Sequence, residues 1–173
     1  MVVMSRLSVI IGSVFICLAA ISCNHGRPLP ASAHIDSLVV IKHDRLLCAY
    51  EKGRLLKQYK IALGRHPVGD KHFEGDMCTP EGLYFINAKN AQSAYHKNLG
   101  ISYPDRNDLN YARKAGRSPG GDIKIHGLRN DQSYLGRFHT VTDWTHGCIA
   151  VSNHEIDELF AHINTGTPVN ILP

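Results

Sequence analysis

Residues 125–153 read IHGLRNDQSYLGRFHTVTDWTHGCIAVSN. One cysteine, Cys148, follows Gly147, and three histidines, His126, His139 and His146, precede it in this stretch. The two ends, DIKIHG and GCIAV, are short runs carrying Ile and Val, and they read as strands. A thiol attacks as the thiolate, so it needs a base beside it and donors for the oxyanion that forms. Gly147 permits a tight turn that aims nearby amides at a developing negative charge. His126 ends its strand and supplies a base if the two strands are neighbours. Two other readings stay open on the residues alone. His146 and Cys148 share one face of a strand and, with His126 and His139, would make four metal ligands, although Cys-x-x-Cys and His-x-x-x-His spacings are absent. Alternatively, Cys148 is a buried structural thiol and the histidines are surface residues.

Outward from this stretch the chain is mostly strand-like. HIDSLVVIKH alternates and is rich in Val and Ile. RLLCAYEKGRLLKQYKIALG reads as a hairpin turning at Glu51–Gly53, and GLYFINAKN and PVNILP as further strands. SNHEIDELFAHINTG reads as a helix. Ser152 or Asn153 caps it, Glu155, Asp157 and Glu158 are its early acids, and Ile156, Leu159, Phe160 and Ile163 form one stripe. Gly166 is its expected end. A second helix is expected from Asp105 to Gly116. It sits in a polar stretch, Ala88–Gly121, whose length suggests a functional insertion such as a lid. The fold class is mainly β, a sandwich or open barrel with a C-terminal helix and a lid.

Length allows one domain. The first 22 residues carry a single charge, Arg6, and an apolar run from Leu7 to Ile21, which is short for a spanning helix and reads as a signal peptide. LAAISC resembles a bacterial lipobox, with Ala20 where Leu is usual. That resemblance implies lipidation of Cys23, a tether over residues 23–33 and attachment to a membrane surface. Asn24 after the cysteine favours the outer membrane, facing the periplasm, in a two-membrane cell. Residues 34–173 form the domain. Beyond the leader, 18 basic and 15 acidic residues leave a net charge of +3, too small and too scattered for nucleic-acid binding. With Cys17 removed and Cys23 acylated, Cys48, Cys78 and Cys148 remain. Cys48 and Cys78 are the pair available for a disulfide.

The motifs taken in order resemble the YkuD-type L,D-transpeptidase catalytic domain, closest to its YafK-like murein subgroup. WTHGCIAVSN is similar to the active-site signature, SPGGDIKIHG to the histidine strand, and YKIALGRHPVGDKHFEGD to the strand and loop before them. Thr79, Pro80, Gly82 and Tyr84 match a Thr-Pro-x-Gly-x-aromatic segment. The resemblance covers Ile35–Pro173. It implies that Cys148 is the nucleophile and His126 the general base, with His139 as the alternative base or orienter. Gly147, Cys148 and His146 amides would form the oxyanion hole, and Thr145 takes the Ser/Thr place. Tyr95, Tyr103 and Trp144 are candidate substrate contacts. No cofactor or metal is implied. The expected substrates are peptidoglycan stem peptides, with a wall-attached lipoprotein as a further partner. The expected chemistry is transpeptidation through a thioester, or hydrolysis at the same site. A non-catalytic wall-binding lipoprotein is the reading of another class. Two departures stand out: Ala150 replaces the family's common Arg, and the gap from His126 to Thr145 is longer than usual.

Overall fold

A computed structural model describes residues 27–173. The leader and Cys23 lie outside the described residues. Eight strands form one curled sheet in the order β3-β2-β1-β8-β4-β5-β6-β7. Strands β1 (Ser37–Ile41), β2 (Leu46–Glu51) and β3 (Arg54–Lys60) make an antiparallel meander. The β2–β3 turn is Lys52–Gly53, with φ of 51° and 75°. Two positive φ values in a two-residue loop match the right-handed twist of the strands it joins. β8 (Pro168–Leu172) lies parallel to β1.

β4 (Gly82–Ser93) carries the chain from one half of the sheet to the other. Its residues 82–85 pair with β8, and its residues 86–93 pair with β5 (His96–Ile101), with register shifts that bend it. β6 (Lys124–His126) pairs antiparallel with β5, and β7 (Ile149–Ala150) lies parallel to β6. The sheet then closes on itself. Ala62, just past β3, exchanges two backbone hydrogen bonds with Ala150 of β7, at 2.9 and 2.8 Å. Inside the curl, Leu38, Val40, Leu47, Tyr59, Leu63, Leu99, Ile125, Ile149 and Ile171 make the core. This is the expected mainly β architecture.

Two α-helices flank the sheet. α1 (Arg106–Lys114) begins at Asp105, whose carboxylate accepts from the N–H groups of Asn107 and Asp108. α2 (Asn153–His162) buries Ile156 and Leu159 against the core, and Glu155 accepts from the Ser152 N–H at 2.9 Å. The helix stops before the expected Gly166. Ile163 is extended (φ −109°, ψ 138°) because it bridges to Ile35 at the sheet.

Three other expectations are revised. The polar stretch Ala88–Gly121 is not one insertion: residues 88–101 belong to β4, its hairpin turn and β5, and residues 88–93 of β4 are largely exposed while residues 98–101 of β5 are buried. The segment over the cleft is instead a 3₁₀ segment, Asn130–Val141, which fills the long gap between His126 and Thr145. Cys48 and Cys78 are not joined to each other and are free thiols among the described residues; Cys48 is buried in β2, while Cys78 lies in the 65–81 loop beside Asp76. The tether is docked from Arg27 onward: Leu29 N–H donates to Glu158 at 2.6 Å, and Lys57 donates to the Arg27 carbonyl at 2.9 Å.

Candidate active site

Parallel pairing of β6 and β7 builds the site. His126 and Ala150 are register partners, so they point to the same side of the sheet. Cys148 is two residues before Ala150 and shares that side. Both His126 and Cys148 line one cleft of about 750 Å³. The cleft is also lined by Tyr95, Asn98 and Lys124 from the sheet, Arg65 from the loop after β3, and Gln132, Leu135, Phe138 and His139 from the 3₁₀ segment.

The turn before Cys148 is held by close backbone crossings. Gly147 has φ 123°, and a Cβ there would stand 2.6 Å from the Cys78 carbonyl oxygen. Gly64 is equally confined, its notional Cβ 2.1 Å from the Met77 oxygen. Thr79 Oγ1 accepts from the Gly64 N–H at 3.0 Å, and the Thr79 carbonyl accepts from buried Lys42 at 2.8 Å. The Thr79-Pro80-x-Gly82 segment therefore supports the turn before Cys148 from behind. Thr145 Oγ1 accepts from the Gly147 N–H at 3.1 Å. That amide is taken, so it is not free to serve an oxyanion as expected. Among the described residues nothing accepts from the His146 or Cys148 N–H.

His126 is 5% exposed. Its Nδ1 bonds the Gly127 carbonyl at 2.7 Å, which orients the ring and, with Nδ1 carrying the proton, leaves Nε2 as acceptor. Tyr95 packs on the ring at 4.7 Å and Trp144 meets it edge-on at 5.7 Å. Burial lowers its pKa from 6.5 to about 4. Burial also raises the Cys148 pKa, opposed by the Lys124 N–H and ammonium. The Cys148 thiol contacts the Asp122 carbonyl at 3.6 Å rather than the imidazole. Both groups are thus neutral in the folded chain near pH 7.

The remaining predicted residues divide clearly. Tyr95, Trp144, Thr145, His146 and His139 line the cleft with the pair. Tyr103 does not: it is buried, its hydroxyl donates to the Pro119 carbonyl, and its ring packs edge-on against Tyr84. Among the described residues, no group of three or more His, Cys, Asp or Glu is placed to hold a metal ion. Sequence reasoning passes over Asn98, Arg65, Asp122 and Lys124. Asn98 is the register partner of His126 on β5, which no local pattern signals. Asp122 sits at φ 61°, which turns its carbonyl toward the thiol. Ala150 is fully buried at the closure, so the cations of the cleft are Arg65, Lys124 and Arg129.

Residues 35–171 match the family described as YkuD, the L,D-transpeptidase catalytic domain. The chain belongs to the YkuD L,D-transpeptidase family. Within curated proteins it is 30% identical to YafK of Escherichia coli (strain K12) over 130 residues, which is 72% of this chain and 45% of YafK. YqjB of Bacillus subtilis (strain 168) is 28% identical over 163 residues, 92% of this chain and 82% of YqjB. Among solved structures it resembles the helical cell shape determining protein Pgp2 from Campylobacter jejuni, with a TM-score of 0.58 and 29% identity over 81% of this chain and 48% of that one. An L,D-transpeptidase from Mycobacterium smegmatis shares the fold at 12% identity and a TM-score of 0.53, over 79% of this chain and 58% of that one. The chain spans less than half the length of YafK and of Pgp2.

Proposed function

We propose that this YkuD-family chain is a cysteine-dependent L,D-transpeptidase acting on peptidoglycan stem peptides in the cell envelope. The supporting observation is the placement of Cys148 and His126 on one side of neighbouring parallel strands, facing one cleft. In this reading His126 Nε2 takes the Cys148 proton as the sulfur attacks the carbonyl of an L-centre that precedes a D-amino acid. The oxyanion accepts from the Cys148 and His146 N–H groups. His126 then protonates the leaving amine, and a thioester remains on Cys148. An incoming amine takes the acyl group and gives a cross-link or an attached protein. Water in its place gives a trimmed stem or a released lipoprotein. Where the family commonly has Arg this chain has Ala150, and Arg65 or Arg129 would supply the guanidinium to the cleft instead.

Incubation with imipenem should add one drug mass to the wild-type chain and none to Cys148→Ala. Absence of an adduct on the wild type favours a wall-binding lipoprotein without catalysis. Incubation with purified wall fragments separates the outcomes: new dimers mark a transferase, shorter free stems a hydrolase. Membrane attachment through Cys23 is part of the same reading, and globomycin-sensitive processing tests it.

A further inference from the structure

Buried polar atoms in folded proteins nearly always have partners, so those that lack them mark places that need an account. Among the described residues the buried side-chain atoms without a protein partner are His139 Nδ1, His139 Nε2 and Trp144 Nε1. All three belong to residues lining the cleft that holds Cys148 and His126. His139 is only 5% exposed. Leaving such an atom unpaired forfeits its hydration without replacing it. Their concentration at one cleft points to a ligand that pairs with them.

The chemistry of that ligand follows from the donors and the charge around them. Trp144 Nε1 only donates, and a neutral His139 ring offers one N–H. Two donors lining one cleft suit an acceptor with two oxygens. Lysine and arginine outnumber acids on the cleft: Arg65, Lys124 and Arg129 line it, against Asp122. Lys124 is paired with Asp122 and Arg129 with Asp131, whereas Arg65 has no carboxylate partner among the described residues. A carboxylate fits this set better than a neutral amide. Trp144 stands beside the reacting pair, its ring centroid 5.7 Å from that of His126. The 3₁₀ segment carrying His139 breaks at Gly136 (φ 50°, ψ −128°), which sets the direction of its second half along the cleft.

We propose that His139 and Trp144, with Arg65, are specificity-determining residues that bind the C-terminal carboxylate of the peptide whose preceding carbonyl reaches Cys148. The proposal rests on the peptide-acylation reading above. It makes the terminal residue a recognised group and assigns the 3₁₀ segment a substrate contact.

The test uses the full chain as Cys148→Ala, which binds without turnover. A synthetic stem tetrapeptide ending in D-alanine is titrated calorimetrically, as the free acid and as the C-terminal amide. The acid should bind about tenfold tighter, as expected of hydrogen bonds to a charged group. His139→Phe and Trp144→Phe should each bring the ratio close to one, while His139→Gln, which keeps an N–H donor, should restore part of it. His139→Phe should melt no lower than its parent, because it removes unpaired atoms rather than a contact. Equal binding of acid and amide overturns the inference alone. So does a ratio that survives in the Phe variants, or a lowered melting temperature with the ratio intact, which would mean that ordered water fills a structural role there. Binding of neither peptide overturns the stem-peptide reading and this inference with it.

Discussion

Thr145 donates its hydroxyl to the main-chain carbonyl of Cys148 at 2.7 Å while accepting from the Gly147 N–H at 3.1 Å. One side chain thus closes the turn that presents the thiol. Thr145→Ser keeps both bonds and should retain activity. Thr145→Val keeps the shape but loses both, and should lower kcat by roughly 10²-fold, since small misplacements of a nucleophile cost that much. Steady-state turnover of a stem peptide by the two variants checks it; equal rates would remove Thr145 from the machinery.

Gly147→Ala places a methyl group 2.6 Å from the Cys78 oxygen at a φ of 123° that L-residues rarely adopt. The main chain must shift, at a cost of about 1–3 kcal/mol in stability for the strained conformation alone. Urea unfolding should show a lower midpoint, and the folded fraction should fail to acquire the imipenem adduct.

His126 is neutral in the folded chain down to about pH 4, whereas an unfolded imidazole takes its proton near 6.5. Between those values the unfolded chain holds more protons, so stability falls as the pH falls through this window. The loss reaches roughly 3 kcal/mol by pH 4. Burial lowers the His139 pKa as well and adds in the same direction. Urea midpoints from pH 7 to pH 4 should decline in the wild type and less steeply in His126→Gln. Parallel curves would place the proton uptake elsewhere.

Lys57 and Glu158 form a 2.7 Å ion pair with side chains 5% and 6% exposed, and Tyr59 donates to the same carboxylate at 2.9 Å. Burial alone would raise the Glu158 pKa, but the bonds from Lys57, the Leu29 N–H and Tyr59 bring it below its usual value. Glu158→Leu leaves Lys57 buried without its partner and should cost about 3–5 kcal/mol. Lys57→Met with Glu158→Leu should recover much of that. Thermal melts of the single and double variants decide, and additive losses would refute the coupling.

Much of the fold is legible along the chain because it is written at short range. The alternation Leu38, Val40 marks β1, Lys52–Gly53 marks a hairpin, and Ser152 with Glu155 marks the start of α2. Errors arise where a distant contact overrides a local one. Ile163 continues the apolar stripe of α2 yet leaves the helix to bridge Ile35. Tyr103 has the amphipathic form of a substrate contact, but its hydroxyl is held by Pro119 and its ring packs on Tyr84. Residues 88–93 are polar because that end of β4 meets water, not because they form a lid.

By itself, the order of residues determined the strand-rich class, the two helices and the short list containing Cys148 and His126, since periodicity, capping and motif spacing act within a few positions. Tertiary structure alone decided that β6 and β7 lie side by side, that Thr145 occupies the Gly147 amide, and that the ring nitrogens of His139 and Trp144 lack hydrogen-bond partners among the described residues. Those relations depend on strand register and on crossings between segments such as Gly64, Cys78 and Gly147. No local pattern encodes which distant backbone will be there to meet them.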